Sequence, residues 1–165
     1  MIDIELSNQQ DAYSIDEARL VAAVQRVLQG EGIRSGTISL ALVDDPTMHE
    51  LNLRYLEHDE PTDVLSFVLE RRGDALEGEV ILSVDTAATS CERFGWSCDD
   101  ELLLYAVHGA LHLVGYDDGC PEDRRRMRQR EQHYLAAWGL EARYDEIAPV
   151  PPRPTDPASG AEETA

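Results

Sequence analysis

The chain has 165 residues, of which 33 are acidic and 14 basic, giving a formal net charge of -19, and 42% are hydrophobic. That length supports one domain with a real hydrophobic core. No apolar run approaches the ~18 residues a membrane span requires, so a soluble protein without a membrane partner is expected. The negative balance excludes a protein that coats nucleic acid non-specifically, because phosphate contacts need concentrated Lys and Arg, and DNA is not an expected partner.

Met1-Ile2-Asp3-Ile4-Glu5-Leu6-Ser7 lacks the basic and apolar regions of a signal peptide, so cytoplasmic residence is expected. Cys91, Cys98 and Cys120 are odd in number and irregularly spaced. They support neither a disulfide framework nor a CxxC knuckle and read as reduced thiols. Cys120 reads as a small, half-buried residue at a loop-helix junction.

In chain order, Ile2 to Leu6 alternates apolar and polar residues and predicts a strand. Ser14, Asp16 and Glu17 precede Leu20, Val21, Val24 and Leu28, a capped helix ending at Gly30. Thr37 to Val43 predicts a second strand, and Asp45-Pro46-Thr47 opens a helix carrying Met48, Leu51, Leu53 and Tyr55. Val64 to Leu69 and Glu79 to Ser83 predict two more strands, separated by the polar turn Arg71-Arg72-Gly73-Asp74. Ser83 to Phe94 predicts a helix with Ala87, Ala88 and Cys91 on one face and Gly95 as its stop.

Asp99-Asp100-Glu101 places negative charge at the start of the next helix, Leu102 to Val114, which is apolar nearly all round and belongs in the core. Pro121 starts a last helix to about Trp138, with Gly139 as its stop. The Pro-rich, acidic stretch 148–165 cannot form a packed element and is expected to be a disordered tail to a domain at 1–147. The order of elements predicts an α+β layer fold.

His108-Gly109-Ala110-Leu111-His112-Leu113-Val114-Gly115-Tyr116-Asp117-Asp118 carries the chemistry. Histidines four apart on a helix share one face. Gly115 can take the left-handed backbone that ends a helix, and Asp118 can then swing back to that face. His108, His112 and Asp118 thus form a candidate three-ligand metal site on a core helix and its exit turn. Two imidazoles and a carboxylate suit Zn2+, and an open fourth position leaves room for water acidified by the metal. Nickel, cobalt and iron use the same ligand types.

All 14 basic residues are arginines. Arg124, Arg125, Arg126, Arg128 and Arg130 crowd just after the histidines. They read either as a solvated face paired with Glu122, Asp123 and Glu131 or as an RNA-facing patch.

The motif resembles the HGxLHLxGYDH hallmark of the YbeY family of bacterial endoribonucleases, the metal-dependent rRNA maturation factors, with Asp118 in place of the last histidine. Pro61-Thr62-Asp63-Val64-Leu65-Ser66-Phe67 is similar to the family's PTDVLSF segment and Gly78-Glu79-Val80-Ile81-Leu82-Ser83 to its GDIxIS strand. Met127 and Glu131 match its last helix, so the resemblance runs from about Ile2 to Gly139. It implies a small mixed sheet of about four strands against about five helices, and one zinc held by His108, His112 and Asp118. An aspartate in the third position should neutralise more of the metal's charge, so a bound water should be less acidic than in a three-histidine relative.

A second departure is Leu56, which stands where the family carries a functional arginine, directly after the tyrosine of its LNxxYR stretch. Arg54 lies two residues earlier, about 200° away on a helix, and would replace that charge only if the backbone were irregular.

The resemblance implies hydrolysis of single-stranded RNA, in maturation of the small-subunit rRNA 3′ end and ribosome quality control, with the small ribosomal subunit or its proteins as partners. His108 and Asp117 are the candidate catalytic residues. Asp117 would act as a base or orient a histidine, or would merely cap its turn. Arg54, Ser66 and Arg124 are candidate substrate contacts, although a serine between apolar strand residues commonly just satisfies a backbone group.

A metallopeptidase is the first rival, but that chemistry expects a glutamate immediately after the first histidine, where Gly109 stands. The other is a non-catalytic, zinc-containing ribosome assembly factor whose acidic surface binds a basic protein.

Overall fold

The computed structural model describes residues 1–56 and 63–144. Pro61 and Thr62, and the expected tail at 148–165 with its boundary at 147, lie outside the described residues.

Four strands, β1 (Ile2–Asn8), β2 (Ser35–Val43), β3 (Val64–Arg72) and β4 (Ala75–Ser83), form one sheet in the order β1-β2-β4-β3. β1 pairs parallel with β2 and β2 with β4, whereas β3 runs antiparallel to β4. The sheet is therefore mixed, and five α-helices complete the α+β fold.

Between β1 and β2 runs α1 (Glu17–Gly30), whose buried Leu20, Val24, Val27 and Leu28 follow helical spacing. Asp16, rather than Ser14, is the N-cap, its carboxylate accepting from the Arg19 amide. α2 (Asp45–Leu56) buries Met48 but leaves Leu53 and Tyr55 exposed. The β3-β4 hairpin closes on Gly73-Asp74 alone, so Arg71 and Arg72 belong to the strand and not the turn. α3 (Val84–Phe94) follows β4 directly, capped by Ser83 and stopped by a left-handed Gly95.

α4 (Cys98–Leu113) is the central element, packed between β3-β4 on one side and α1, α3 and α5 (Pro121–Leu135) on the other. Twelve of its 16 residues are buried, as the lack of a polar face on Leu102 to Val107 requires. Gly109 permits its close approach to the sheet. A β-carbon there would lie 2.6 Å from Val80 Cγ1 and 3.0 Å from Val64 Cγ1.

The last α-helix stops earlier than expected, at Leu135, and tightens into a 3-10 turn over Ala136–Trp138 before the left-handed Gly139. Cys120 caps this helix as an exposed residue, not a half-buried one, with its sulfur accepting from the Asp123 amide at 3.5 Å. Among the described residues, no helix is long and apolar enough to cross a membrane.

Candidate metal centre

Successive turns of α4 carry His108 and His112, whose Nε2 atoms lie 3.1 Å apart. Gly115 then adopts φ +106°, a left-handed conformation that a side chain would strain. The chain turns back and brings Asp118 Oδ2 within 3.5 Å of His108 Nε2 and 3.7 Å of His112 Nε2. A tetrahedral ion bound by nitrogen and oxygen at 2.0 to 2.2 Å separates its ligand atoms by roughly 3.3 to 3.6 Å. The observed triangle fits that geometry within a few tenths of an ångström. His108, His112 and Asp118 are the cluster suited to an ion among the described residues.

Each imidazole is oriented from behind. His108 Nδ1 donates to Glu131 Oε2 at 2.5 Å, and His112 Nδ1 donates to the Tyr116 carbonyl at 3.0 Å. In the neutral rings both Nε2 atoms are then the unprotonated acceptors a metal would require, and a carboxylate behind such a histidine raises its basicity. Glu131 is only 2% exposed, so its place on an otherwise arginine-rich helix is not that of an ion-pair partner on a solvated face. Its other oxygen accepts from the Tyr144 hydroxyl.

Tyr144 arrives through a short C-terminal strap after Gly139. Gln132 clamps the strap, donating to the Leu140 carbonyl at 3.1 Å and accepting from the Ala142 amide at 2.7 Å. Arg143 ties it to the end of α3 through the Phe94 and Gly95 carbonyls.

The charges around the histidines are strongly coupled. Burial disfavours the imidazolium of His108, yet the hydrogen bond and charge of Glu131, with Asp63 and Asp118, outweigh it and raise the pKa. A proton therefore competes with a metal for this side chain and leaves when the ion binds. The Asp118 carboxyl is held below its ordinary value by His112, 3.7 Å away, which overcomes burial with help from His108 and Arg124. At the start of β3, burial pushes Asp63 up to about 6 against the attraction of His108.

These groups open onto a cavity of about 490 Å³ lined by the carboxyl groups of Asp63, Glu101, Asp118 and Glu131 and by four arginines, Arg93, Arg124, Arg128 and Arg143. Of the residues singled out from the sequence, His108, Asp118 and Arg124 line the cavity, and His112 completes the triangle.

Asp117 is exposed, and its carboxylate accepts from the Asp118 amide at 2.9 Å. Ser66 donates to the Gly109 carbonyl at 3.0 Å, at the contact between β3 and α4. Arg54 is exposed on α2 and pairs with Glu50 at 3.4 Å. Because α2 stays helical through Leu56, Arg54 faces about 200° from position 56, and no irregularity redirects its charge there.

The PTDVLSF-like segment thus contributes Asp63 to the cavity, where the sequence reading selected Ser66. Glu131 and Tyr144 were missed as supports of His108. The sequence signal for Glu131 was a lone carboxylate four residues after buried Met127, on the inner face of α5. Nothing local marks Asp63 or Tyr144.

The family described as Endoribonuclease YbeY matches residues 5–139. The chain is 39% identical over 142 residues to the Endoribonuclease YbeY of Salinibacter ruber, covering 81% of this chain and 90% of the relative. It is 41% identical over 141 residues to that of Carboxydothermus hydrogenoformans, covering 83% and 98%. A solution structure from Thermotoga maritima shares the fold with a TM-score of 0.55 at 24% identity, covering 84% of this chain and 92% of that one. A family match spanning most of the chain, relatives aligned over nearly their whole length and the shared fold place this chain in the endoribonuclease YbeY family.

Proposed function

We propose that the chain is a zinc-dependent endoribonuclease that cleaves single-stranded RNA in the maturation of small-subunit rRNA and in ribosome quality control. Residues 1–147 act as one catalytic domain, 148–165 as a disordered tail, and the protein works in the cytoplasm with the small ribosomal subunit or its proteins. The observation that carries this reading is the triangle of two Nε2 atoms and one carboxylate oxygen, oriented by Glu131 and the Tyr116 carbonyl, at the edge of a cavity lined in part by arginines.

His108, His112 and Asp118 would hold a divalent ion, which would supply Lewis acidity toward a phosphodiester oxygen or water. The chain does the rest. Glu131 keeps His108 in the ligating tautomer, and Asp117 holds the exit turn that presents Asp118. Arg124, beside Asp118, offsets the charge of the incoming phosphate. Asp63, whose pKa is pushed up to about 6 by burial, is suited to hold or release a proton near neutral pH. The carboxyl groups of Asp63, Glu101, Asp118 and Glu131 around the cavity disfavour a phosphate there, a charge that Arg124 and Arg128 in part offset.

Gly109 argues against the peptidase reading. The position where that chemistry expects a glutamate has a β-carbon position 2.6 Å from Val80 Cγ1, leaving no room for a base. The net charge of -19 favours the assembly-factor reading, in which the metal is structural.

One experiment separates these readings: metal content by elemental mass spectrometry and cleavage of a single-stranded RNA, wild type against Asp118→Ala. Near-stoichiometric zinc and cleavage in the wild type, both lost in Asp118→Ala, are expected. Bound metal without cleavage in the wild type would overturn the nuclease and support the assembly factor.

A further inference from the structure

The five arginines of α5 divide by partner. Arg126 pairs with Asp123 at 3.1 Å and Arg130 with Glu31 at 2.6 Å. Arg124, Arg125 and Arg128 are exposed and have no carboxylate within ion-pairing distance among the described residues. In a chain with 33 acidic and 14 basic side chains, these three neighbouring cations form a local positive field, which Asp118, near Arg124, faces.

Their placement is directional. With Pro121, Gln129 and Gln132 they line a groove of about 400 Å³ along the outer face of α5. Arg124 and Arg128 also line the cavity of the metal centre, so these two side chains form the wall where groove and cavity meet. The Arg128 guanidinium lies 4.2 Å from the Tyr144 ring centroid, a cation-π contact that orders it at the junction. The groove presents guanidinium forks and the Gln129 amide but no carboxylate, whereas Asp63, Glu101, Asp118 and Glu131 line the cavity.

From this we infer that Arg124, Arg125 and Arg128, with Gln129, bind phosphates of the RNA strand flanking the scissile bond, so that the strand leaves the cavity along α5. The inference rests on the endoribonuclease reading and adds to it the path of the substrate. Guanidinium forks match phosphate oxygens in pairs. Residues one helical turn apart, about 6 Å at the β-carbon, offer successive forks to successive phosphates. An acidic polypeptide is the other polyanion such a groove would attract. The groove's continuity with a cavity suited to phosphodiester chemistry favours RNA.

The test compares a long single-stranded RNA with a tetranucleotide that fills only the cavity, using the metal-loaded full chain. Arg125→Gln, Arg128→Gln and the double variant are measured beside Arg126→Gln, whose carboxylate partner takes it out of the groove. Metal content is checked in each. Each groove arginine removed is expected to lower the salt-dependence slope of long-RNA binding by about 0.7. In Arg125→Gln, KM for the long RNA should rise several-fold with kcat and metal content unchanged. Arg125→Gln should leave the tetranucleotide KM unaltered, and Arg126→Gln should match wild type on both substrates.

A double variant with wild-type slope and KM would overturn the inference. So would equal losses on both substrates, or polyglutamate competing with long RNA at the groove as strongly as unlabelled RNA does. Failure of the wild type to cleave either RNA would defeat the endoribonuclease reading itself, whereas cleavage with an unchanged slope in the double variant would defeat only the path along α5.

Discussion

α4 and α5 build the candidate metal centre together and solve opposite problems. Twelve of the 16 residues of α4 are buried, whereas α5 buries only Met127, Glu131, Tyr134 and Leu135. A helix locked on every side holds two imidazoles in fixed directions, because close packing leaves each side chain few alternatives. A helix packed along one stripe can instead divide its labour, sending one carboxylate inward to His108 and its cations outward. Burial fixes the directions of the two imidazoles, and exposure leaves Arg124, Arg125 and Arg128 open to solvent.

The strongest way to break this comparison is to remove the one inward carboxylate of α5. Glu131→Ala leaves the His108 Nδ1 proton and the Tyr144 hydroxyl without their common acceptor, and loss of such a support costs about 10- to 100-fold in metal affinity. Chelator competition measures that loss, and Tyr144→Phe, which removes only the outer hydrogen bond, should lose less. Equal zinc affinity in Glu131→Ala and wild type would show that α4 orients His108 unaided.

The packing of α4 can be probed without touching a ligand. Gly109→Ala places a β-carbon against Val80, Val64 and Ser66 and should cost about 1 to 3 kcal/mol by overpacking. A lower urea midpoint with an unchanged slope is expected, and an unaltered midpoint would mean that helix and sheet are not in close register at this point.

The smallest effect sharpens the electrostatic side of the comparison. The folded Asp63 has its pKa raised by burial from 3.8 to about 6. Its neutral form therefore contributes stability that is fully present below pH 3.8 and is lost as pH rises through about 6. Asp63→Asn removes that dependence. In metal-free protein, the thermal midpoint of the variant relative to wild type should rise across this window, and a constant difference would mean that Asp63 titrates as in the unfolded chain.

How much was legible beforehand depends on distance along the chain. The element order could be read because amphipathic spacing and Gly95 and Gly139 as stops are local signals, whereas the first turn of α4, from Cys98 and capped by Ser97, lies ahead of the expected start at Leu102. Errors fell where local signals compete. Ser14 and Asp16 both suit an N-cap, and Arg71-Arg72 look like a turn beside Gly73-Asp74 although sheet pairing continues through both. Ser66 looked available because its acceptor, the Gly109 carbonyl, belongs to another element.

The metal triangle follows the same rule. His108, His112 and Asp118 sit within one helical turn and its exit, so helix geometry and a left-handed glycine were enough for the sequence to determine them. The supports of that triangle were decided by the tertiary structure alone. Asp63 reaches the cavity from the start of β3, Glu131 from the inner stripe of α5 and Tyr144 from a strap beyond Gly139. Arg124 and Arg128 are separated in role from Arg126 and Arg130 only by which carboxylates lie nearby. Covalent spacing transmits direction over a turn or two of helix, whereas burial and charge pairing are properties of neighbours that only packing brings together.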